Sequence, residues 1–470
     1  MPELSAPRRA EEAPALQARS ELRSALADSG VKIAVIDDDP TGTQTVRDVP
    51  VALSCEQPEL EWAMRAADPL FCVLTNTRAL AEPDAVAINR ELGERLPVIG
   101  GDLGAEVRVI SRSDSTLRGH FPAETAALAA GLGAAGEPID AVLLCPAYPE
   151  AGRVTKNDTH YLCRDGRMVP VAETEFARDP AFGYRSSDLR AWIGERAGER
   201  SAIASLGLAD IRESSPDQLA ALLAERAAGA EYVIANALEP SDLERIALAV
   251  DLAESGGLRL IYRTGPSFLG ARAGRRTPAP LHSEEIAMPD ARGLLVVGSY
   301  TELSTAQLQE AETRHELGSV MLDVDRVLRD DDSRQQAVQE AVAALRAELD
   351  RGDAALVTSR ASAHRSAGAE SLEVGARIAA TLVDVVAATL GETRVDWLIA
   401  KGGITSHDLA VKALSARRAI VLGQLLPGQV SVWELGEDAL LPGLRYVVFP
   451  GNVGDRQALA EVLARLKGCE

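Results

Sequence analysis

The sequence predicts an α/β protein of two domains, each a mainly parallel sheet flanked by helices. Three observations point there. The chain has 470 residues, more than one hydrophobic core usually supports. Short runs rich in Val, Ile and Leu alternate along it with Ala-rich helical stretches, the pattern of parallel strands covered by helices. One segment, GARAGRRTPAPLHSEEIAMPDARG from Gly270 to Gly293, lacks apolar periodicity and is dense in Gly, Pro and charge, as linkers are. The expected division is a flexible N-terminal segment at 1–30, a first domain at 31–270, a linker at 271–292 and a second domain at 293–470.

In the first domain the expected strands are VKIAVI (from Val31), FCVLTN (from Phe71), VRVISR (from Val107), AVLLCP (from Ala141), YVIAN (from Tyr232) and LRLIYR (from Leu258). In the second they are LLVVGS (from Leu294), SVMLDV (from Ser319), AALVTS (from Ala354), DWLIAKGG (from Asp396), RAIVLG (from Arg418) and RYVVFPGN (from Arg445). The polar, proline-punctuated stretch from Cys145 to Arg190 reads as an excursion from the first sheet. Excursions of that length are commonly functional.

A net charge of −21 repels polyanions, which argues against nucleic acid as a partner. A site for a small anion has to be a local arrangement of arginines, lysines and backbone N–H groups. The five cysteines (Cys55, Cys72, Cys145, Cys163 and Cys469) are scattered and lack CxxC spacing, so neither a disulfide framework nor a zinc site is expected. The N-terminus MPELSAPRRAEEAPALQARS has no apolar signal-peptide core, and no run approaches a membrane span. A cytoplasmic protein with no membrane partner is the expectation.

In open α/β sheets ligands sit beyond the C-terminal ends of strands, so polar clusters at those ends carry the most weight. Four occur. In the first, IAVI runs into Asp37, Asp38 and Asp39, followed by Pro40, Thr41 and Gly42. Three adjacent carboxylates repel one another and need a cation, a partner or a proton; a solvated turn is the plain alternative. The second is ISRSDSTLRGHFPAE, from Ile110 to Glu124. Here Arg112 and Arg118 offer planar donors to a carboxylate or phosphate, Asp114 lies between them, and Ser115 or Thr116 could cap the next helix. The third cluster combines VVGSYTELSTAQL, with Gly298 and Ser299, and IAKGGITSHDLA, with Lys401, Gly402, Gly403, Thr405 and Ser406. Glycines there let the backbone approach an anion. The fourth, VVFPGNVGD, repeats the arrangement with Gly451, Asn452 and Gly454.

No GxxxxGK[ST] or GxGxxG follows a strand, and GxSxG and HExxH are missing. The six histidines lack metal-ligand spacing; His120 and His160 lie beside the candidate motifs.

Two chemistries fit the opening acids. Asp37-x-Asp39-x-Thr41 has the spacing of a haloacid-dehalogenase-type phosphatase, with Asp37 as nucleophile and Asp39 as acid/base. That reading lacks a later acidic pair for magnesium. A kinase uses more of the chain: one domain grips a small polyol acid, the other cradles a nucleotide on glycine turns, and reaction occurs in the inter-domain cleft. The motifs DDDPTGT, SRSDSTLRGHF, CPAYPEAGR, VVGSYTELSTAQL, KGGITS and PGNVGD, in that order from Val31, resemble those of the four-carbon acid sugar kinase family. The resemblance implies a substrate-binding N-terminal domain, a nucleotide-binding C-terminal domain and phosphorylation of acids such as threonate, erythronate or 3-oxo-tetronate by ATP with Mg2+. It assigns the acid-binding loops to Asp37, Asp38, Thr41 and Gly42 and to the run from Asp114 through Ser115 to Gly119. It places ATP contacts on Ser299, on Gly402, Gly403, Ile404 and Thr405, and on Gly451. Arg118, assisted by Arg112 or Arg153, is expected to clamp the substrate carboxylate, and one of Asp37, Asp38 and Asp114 to take the proton from the attacking hydroxyl. The alternatives are the phosphatase and a non-catalytic sugar-acid sensor. Expected partners are the acid and ATP; a homodimer is an assembly the sequence allows without settling it.

Overall fold

A computed structural model describes residues 9–164, 166–298, 301–359, 369–451 and 453–469. The chain divides into two compact units, Met1–Thr277 and Pro278–Glu470. The first contains β1 (Lys32–Asp37), β2 (Val49–Ala52), β3 (Leu70–Leu74), β4 (Val107–Arg112), β5 (Ala141–Cys145), β6 (Arg153–Lys156), β7 (Thr159–Arg164), β8 (Arg167–Pro170), β9 (Ile203–Leu206), β10 (Tyr232–Ala235) and β11 (Leu260–Thr264). Eight of them pair in the order β2-β3-β1-β4-β11-β5-β10-β9, every pairing parallel. Strands buried on both faces have to be apolar throughout, and Ile33 to Ile36 are at most 3% exposed. The register aligns Asp37 with Leu74 and Arg112, Arg112 with Thr264, and Thr264 with Cys145. Loops after these five strands therefore leave one edge of the sheet together.

Two expectations for this unit need correction. The segment expected to be flexible is, from Arg9, the helix Arg9–Ser29. Ala15, Ala18, Leu22 and Leu26 recur at helical spacing and are buried, and the helix packs on Pro240–Ser255, with Arg19 paired to Glu244 at 2.8 Å. A sparse apolar stripe among many charges suffices once a partner face exists. The excursion after Cys145 is also more regular than expected: β6, β7 and β8 form an antiparallel sheet. Near it Phe121, Leu189, Trp192 and Ile193 share a core cluster with Leu117, Val171 and Tyr184.

The second unit contains β12 (Gly293–Val297), β13 (Leu317–Leu322), β14 (Asp353–Thr358), β15 (Trp397–Lys401), β16 (Arg418–Leu426), β17 (Val430–Leu435) and β18 (Arg445–Phe449), in the order β13-β14-β12-β15-β18-β17-β16. It is parallel except for β17, which runs antiparallel to β16 and β18. Val297, Lys401 and Phe449 lie in register at the C-terminal ends of β12, β15 and β18. Leu281 and Ile286, inside the expected linker, belong to this unit's core. No helix among the described residues is long and apolar enough to cross a membrane.

Candidate active site

At the C-terminal edge of the first sheet, β1 leads into Asp37, Asp38 and Asp39, β3 into Arg78, β4 into the loop from Arg112 to Gly119, and β11 contributes Arg263. The Asp37 Oδ1 accepts from Arg112 Nη1 at 2.8 Å and from the Asp39 N–H at 3.2 Å, while its Oδ2 has no partner. The residue is 0% exposed. Burial, opposed by Arg112 and reinforced by the neighbouring acids, pushes its carboxyl up to about 7. A Cβ at position 42 would sit 1.9 Å from the free oxygen, so the turn Pro40–Gly42 can close over this acid only with glycine there.

Asp38 is held by Arg78, from Nε at 3.1 Å and from Nη2 at 2.5 Å. The Asp39 Oδ2 accepts from Arg78 Nη1 at 3.0 Å and its Oδ1 from the Thr41 N–H at 2.8 Å and the Thr41 hydroxyl. Burial alone would raise the Asp39 carboxyl, but Arg78, Arg112 and the Thr41 bonds outweigh it and hold it below its usual value. Two guanidiniums thus offset the repulsion that three adjacent acids create. The phosphatase alternative fits this poorly, because its acid/base, Asp39, is tied to Arg78.

Asp114 is likewise committed. Its Oδ2 accepts from Arg118 Nε at 2.6 Å and from the Thr116 hydroxyl. Burial would raise it, but Arg78 and Arg118 hold its carboxyl well below the usual range. Arg118 also reaches Asp179 at 3.5 Å and lies 5.1 Å from the centroid of the Phe176 ring. Leu117 takes a left-handed φ of +70°, a strain that collects at ligand loops. Pro122 occupies the N-cap position of the helix Ala123–Ala134, which no side chain caps, so Ser115 and Thr116 serve the loop instead of the helix. The Ser115 carbonyl accepts from His160 Nε2 at 2.8 Å, and His160 Nδ1 accepts from the Thr155 hydroxyl at 2.9 Å. Burial pushes His160 down to about 4, fixing it as a neutral prop.

Arg153 stands apart. Its guanidinium lies 5.7 Å from the centroid of the Tyr148 ring, its Nε is buried without a partner, and no carboxylate pairs with it among the described residues. Burial lowers its pKa, opposed by Asp114.

Sequence reasoning missed Arg78 and Arg263. Arg78 follows β3 in TNTRAL, a polar cluster at a strand end like the others. Arg263 lies 5.0 Å from the centroid of the Phe121 ring with Nη1 buried and unpartnered; a charge inside the apolar run LIYRT was its signal.

In the second unit Gly298, Gly402 and Gly451 follow β12, β15 and β18 directly or after one residue. Gly402 adopts φ +123°, a region that glycine enters without penalty. Its N–H donates to the Phe449 carbonyl at 2.8 Å, and the Gly298 N–H to the Lys401 carbonyl at 3.3 Å. Ser304 Oγ donates to the Gly451 carbonyl at 2.9 Å. Ser406 Oγ donates to the Gly402 carbonyl at 2.7 Å, and Tyr446 OH to the Ser406 carbonyl at 2.6 Å. Gly403 and Thr405 lie in the short helix Gly403–Asp408, with Ile404 between them. The Ile404 side chain and the whole of Ser299 fall outside the described residues. Among the described residues no group of three His, Cys, Asp or Glu is placed to hold a metal ion, and the aspartates of the first unit are tied to arginines. The described residues therefore do not form a cage for the expected magnesium.

A family model described as a sugar-binding N-terminal domain matches residues 33–272, and one described as a nucleotide-binding C-terminal domain matches 294–459. A D-threonate kinase of Bordetella bronchiseptica is 33% identical over 42% of this chain and 42% of its own length. A D-erythronate kinase of Heliobacterium modesticaldum is 27% identical over 54% and 53%. Those two alignments span about half of each relative or less. A D-threonate kinase of Cupriavidus necator is 28% identical over 84% of this chain and 86% of its own. Two solved structures, each 18% identical, share the fold. One is a Haemophilus influenzae protein of a domain family without assigned function, with a TM-score of 0.62, covering 92% of this chain and 99% of that one. The other is a Salmonella typhimurium protein described as a candidate tRNA synthase, with a TM-score of 0.68, covering 93% and 99%. The two family models account for most of the sequence, and the chain belongs to the four-carbon acid sugar kinase family.

Proposed function

We propose that this chain is an ATP-dependent kinase that phosphorylates a hydroxyl of a four-carbon sugar acid, of the threonate, erythronate or 3-oxo-tetronate type, in carbohydrate acid breakdown. The observation that carries this reading is the strand edge of the first unit, in a domain whose family is described as sugar-binding. There Asp37 keeps a carboxylate oxygen without a partner and Arg153 keeps a guanidinium without a carboxylate. An arginine of that kind suits the substrate carboxylate, with Arg118 beside it. Arg112 supports the reaction indirectly, through Asp37.

Asp37 is our choice for the base. Arg118 holds Asp114 as an anion and Arg78 occupies both oxygens of Asp38, whereas the Asp37 carboxyl lies at about 7, where a base works best. Access of the hydroxyl to Asp37 requires displacement of the Pro40–Gly42 turn that covers it. The glycine turns of the second unit would receive ATP, and any magnesium would be brought by the nucleotide and would neutralise phosphate charge there, since the described side chains offer it no cage. Transfer moves the phosphate from a nucleotide held by the second unit to an acid held by the first.

An ATP-coupled screen over threonates, erythronates and their oxo forms tests this. ADP release that requires one of these acids supports it. Acid binding without ATP consumption would favour the sensor, and phosphate release from a sugar phosphate without ATP would favour the phosphatase.

A further inference from the structure

β15 is apolar until its last residue, and Lys401 there is as buried as the rest, at 0% exposure. An ammonium has three donors. Lys401 Nζ makes one bond, to the Pro450 carbonyl at 3.3 Å, and lies 4.1 Å from the centroid of the Phe449 ring. No carboxylate pairs with it among the described residues. Asp408, on the following helix, pairs with Lys412 at 2.8 Å and lies 3.5 Å from His407. The Tyr446 hydroxyl of β18 is engaged by the Ser406 carbonyl, and among the described residues the end of β12 presents Val297 and Gly298 opposite. A buried charge without a partner is strongly unfavourable, unless an anion arrives from outside.

The surroundings say which anion. The Lys401 carbonyl accepts from the Gly298 N–H, Gly402 follows it, and the Pro450 that holds Nζ leads into Gly451. The Gly298 and Gly402 turns adjoin the Lys401 backbone, and the Gly451 turn adjoins its ammonium through Pro450. We propose that Lys401 binds the phosphate chain of a nucleoside di- or triphosphate, adding a full positive charge to the backbone N–H groups of the turns. The inference rests on the nucleotide-binding reading of this unit and names the residue that makes it strong.

It also has a proton signature. Burial pushes Lys401 down to about 7, so above that pH the free protein holds a neutral amine. Phosphate oxygens favour the ammonium, and binding then draws one proton from the buffer: R–NH2 and H+ become R–NH3+.

Calorimetric titration with ADP at about pH 8, where phosphate oxygens are already unprotonated, in two buffers of different ionisation enthalpy, counts that proton. The wild type takes up about one proton per ADP bound. Lys401→Met, close in volume and without charge, takes up none and binds at least about tenfold more weakly. Without nucleotide it melts no lower than the wild type, because it removes a buried amine that has one 3.3 Å hydrogen bond and no carboxylate partner. Lys401→Met that binds ADP with wild-type affinity, or with the same proton uptake, overturns the inference and leaves the nucleotide reading intact. A wild type that binds neither ADP nor ATP overturns that reading itself.

Discussion

At the strand ends of the first unit, Asp37, Asp38 and Asp39 meet Arg78 and Arg112 at separations from 2.5 to 3.5 Å. At those of the second unit, glycine turns are tied together by backbone N–H groups and hydroxyls, and Lys401 has no carboxylate partner. Both ends arise from the same architecture, parallel strands opening at one edge. The first is pre-organised by opposite charges that largely satisfy one another, leaving Arg153, Arg263 Nη1 and one oxygen of Asp37 over. The second leaves a lone cation beside closely spaced glycine turns. A small hydroxylated acid needs directional partners that fix its orientation, whereas a phosphate chain needs close approach and positive charge.

Breaking the charge cluster should have the largest effect. Arg78→Met leaves Asp38 and Asp39 without their main partner and should destabilise the protein by about 3–5 kcal/mol in urea unfolding. Adding Asp38→Asn should recover part of the loss; a single variant as stable as the wild type would show that the cluster is not what holds this edge. Next comes Asp37→Asn, which should lower kcat on the order of a hundredfold or more. If Asp38→Asn or Asp114→Asn shows that loss and Asp37→Asn does not, the base has been misassigned. Arg153→Met should raise KM for the acid by about tenfold or more with little change in KM for ATP and no loss of stability, since its charge is unpaired in the folded chain. Equal changes in both constants would contradict its assignment to the acid.

The smallest effect is on pH. Activity should rise with pH to a plateau above about 7, as Asp37 loses its proton, and Asp37→Asn should remove that limb. Stability should move the other way. The folded value lies above the unfolded one, so the folded state keeps a proton that the unfolded state releases between about pH 4 and 7. The Asp37 contribution to stability therefore falls as pH rises through that window and levels off above it. Urea midpoints of wild type and Asp37→Asn across the window measure it; parallel curves would mean that Asp37 ionises normally.

Much of this was legible from residue order. Asp37 to Asp39 stand out because an apolar strand ends in them, and the glycine turns because each follows such a strand. Arg78 and Arg263 were not, since their meaning depends on neighbours far away in sequence. Arg78 reaches the acids only because β3 pairs with β1, and Arg263 reaches the loop after β4 only because β11 enters between β4 and β5. The hairpin of β16 and β17 was signalled by LPGQ at Leu426 to Gln429, but its apolar run reads equally well as part of a parallel sheet. The helix Arg9–Ser29 depends on a partner face that no local pattern discloses.

The division of labour between the two ends can be read in a crossed affinity measurement. Arg153→Met and Gly402→Ala, the latter strained at φ +123°, are each titrated with a four-carbon acid and with ADP. We expect Arg153→Met to lose affinity for the acid alone and Gly402→Ala for ADP alone. Loss of both ligands in the same variant, or of the opposite ligand in each, would contradict the account.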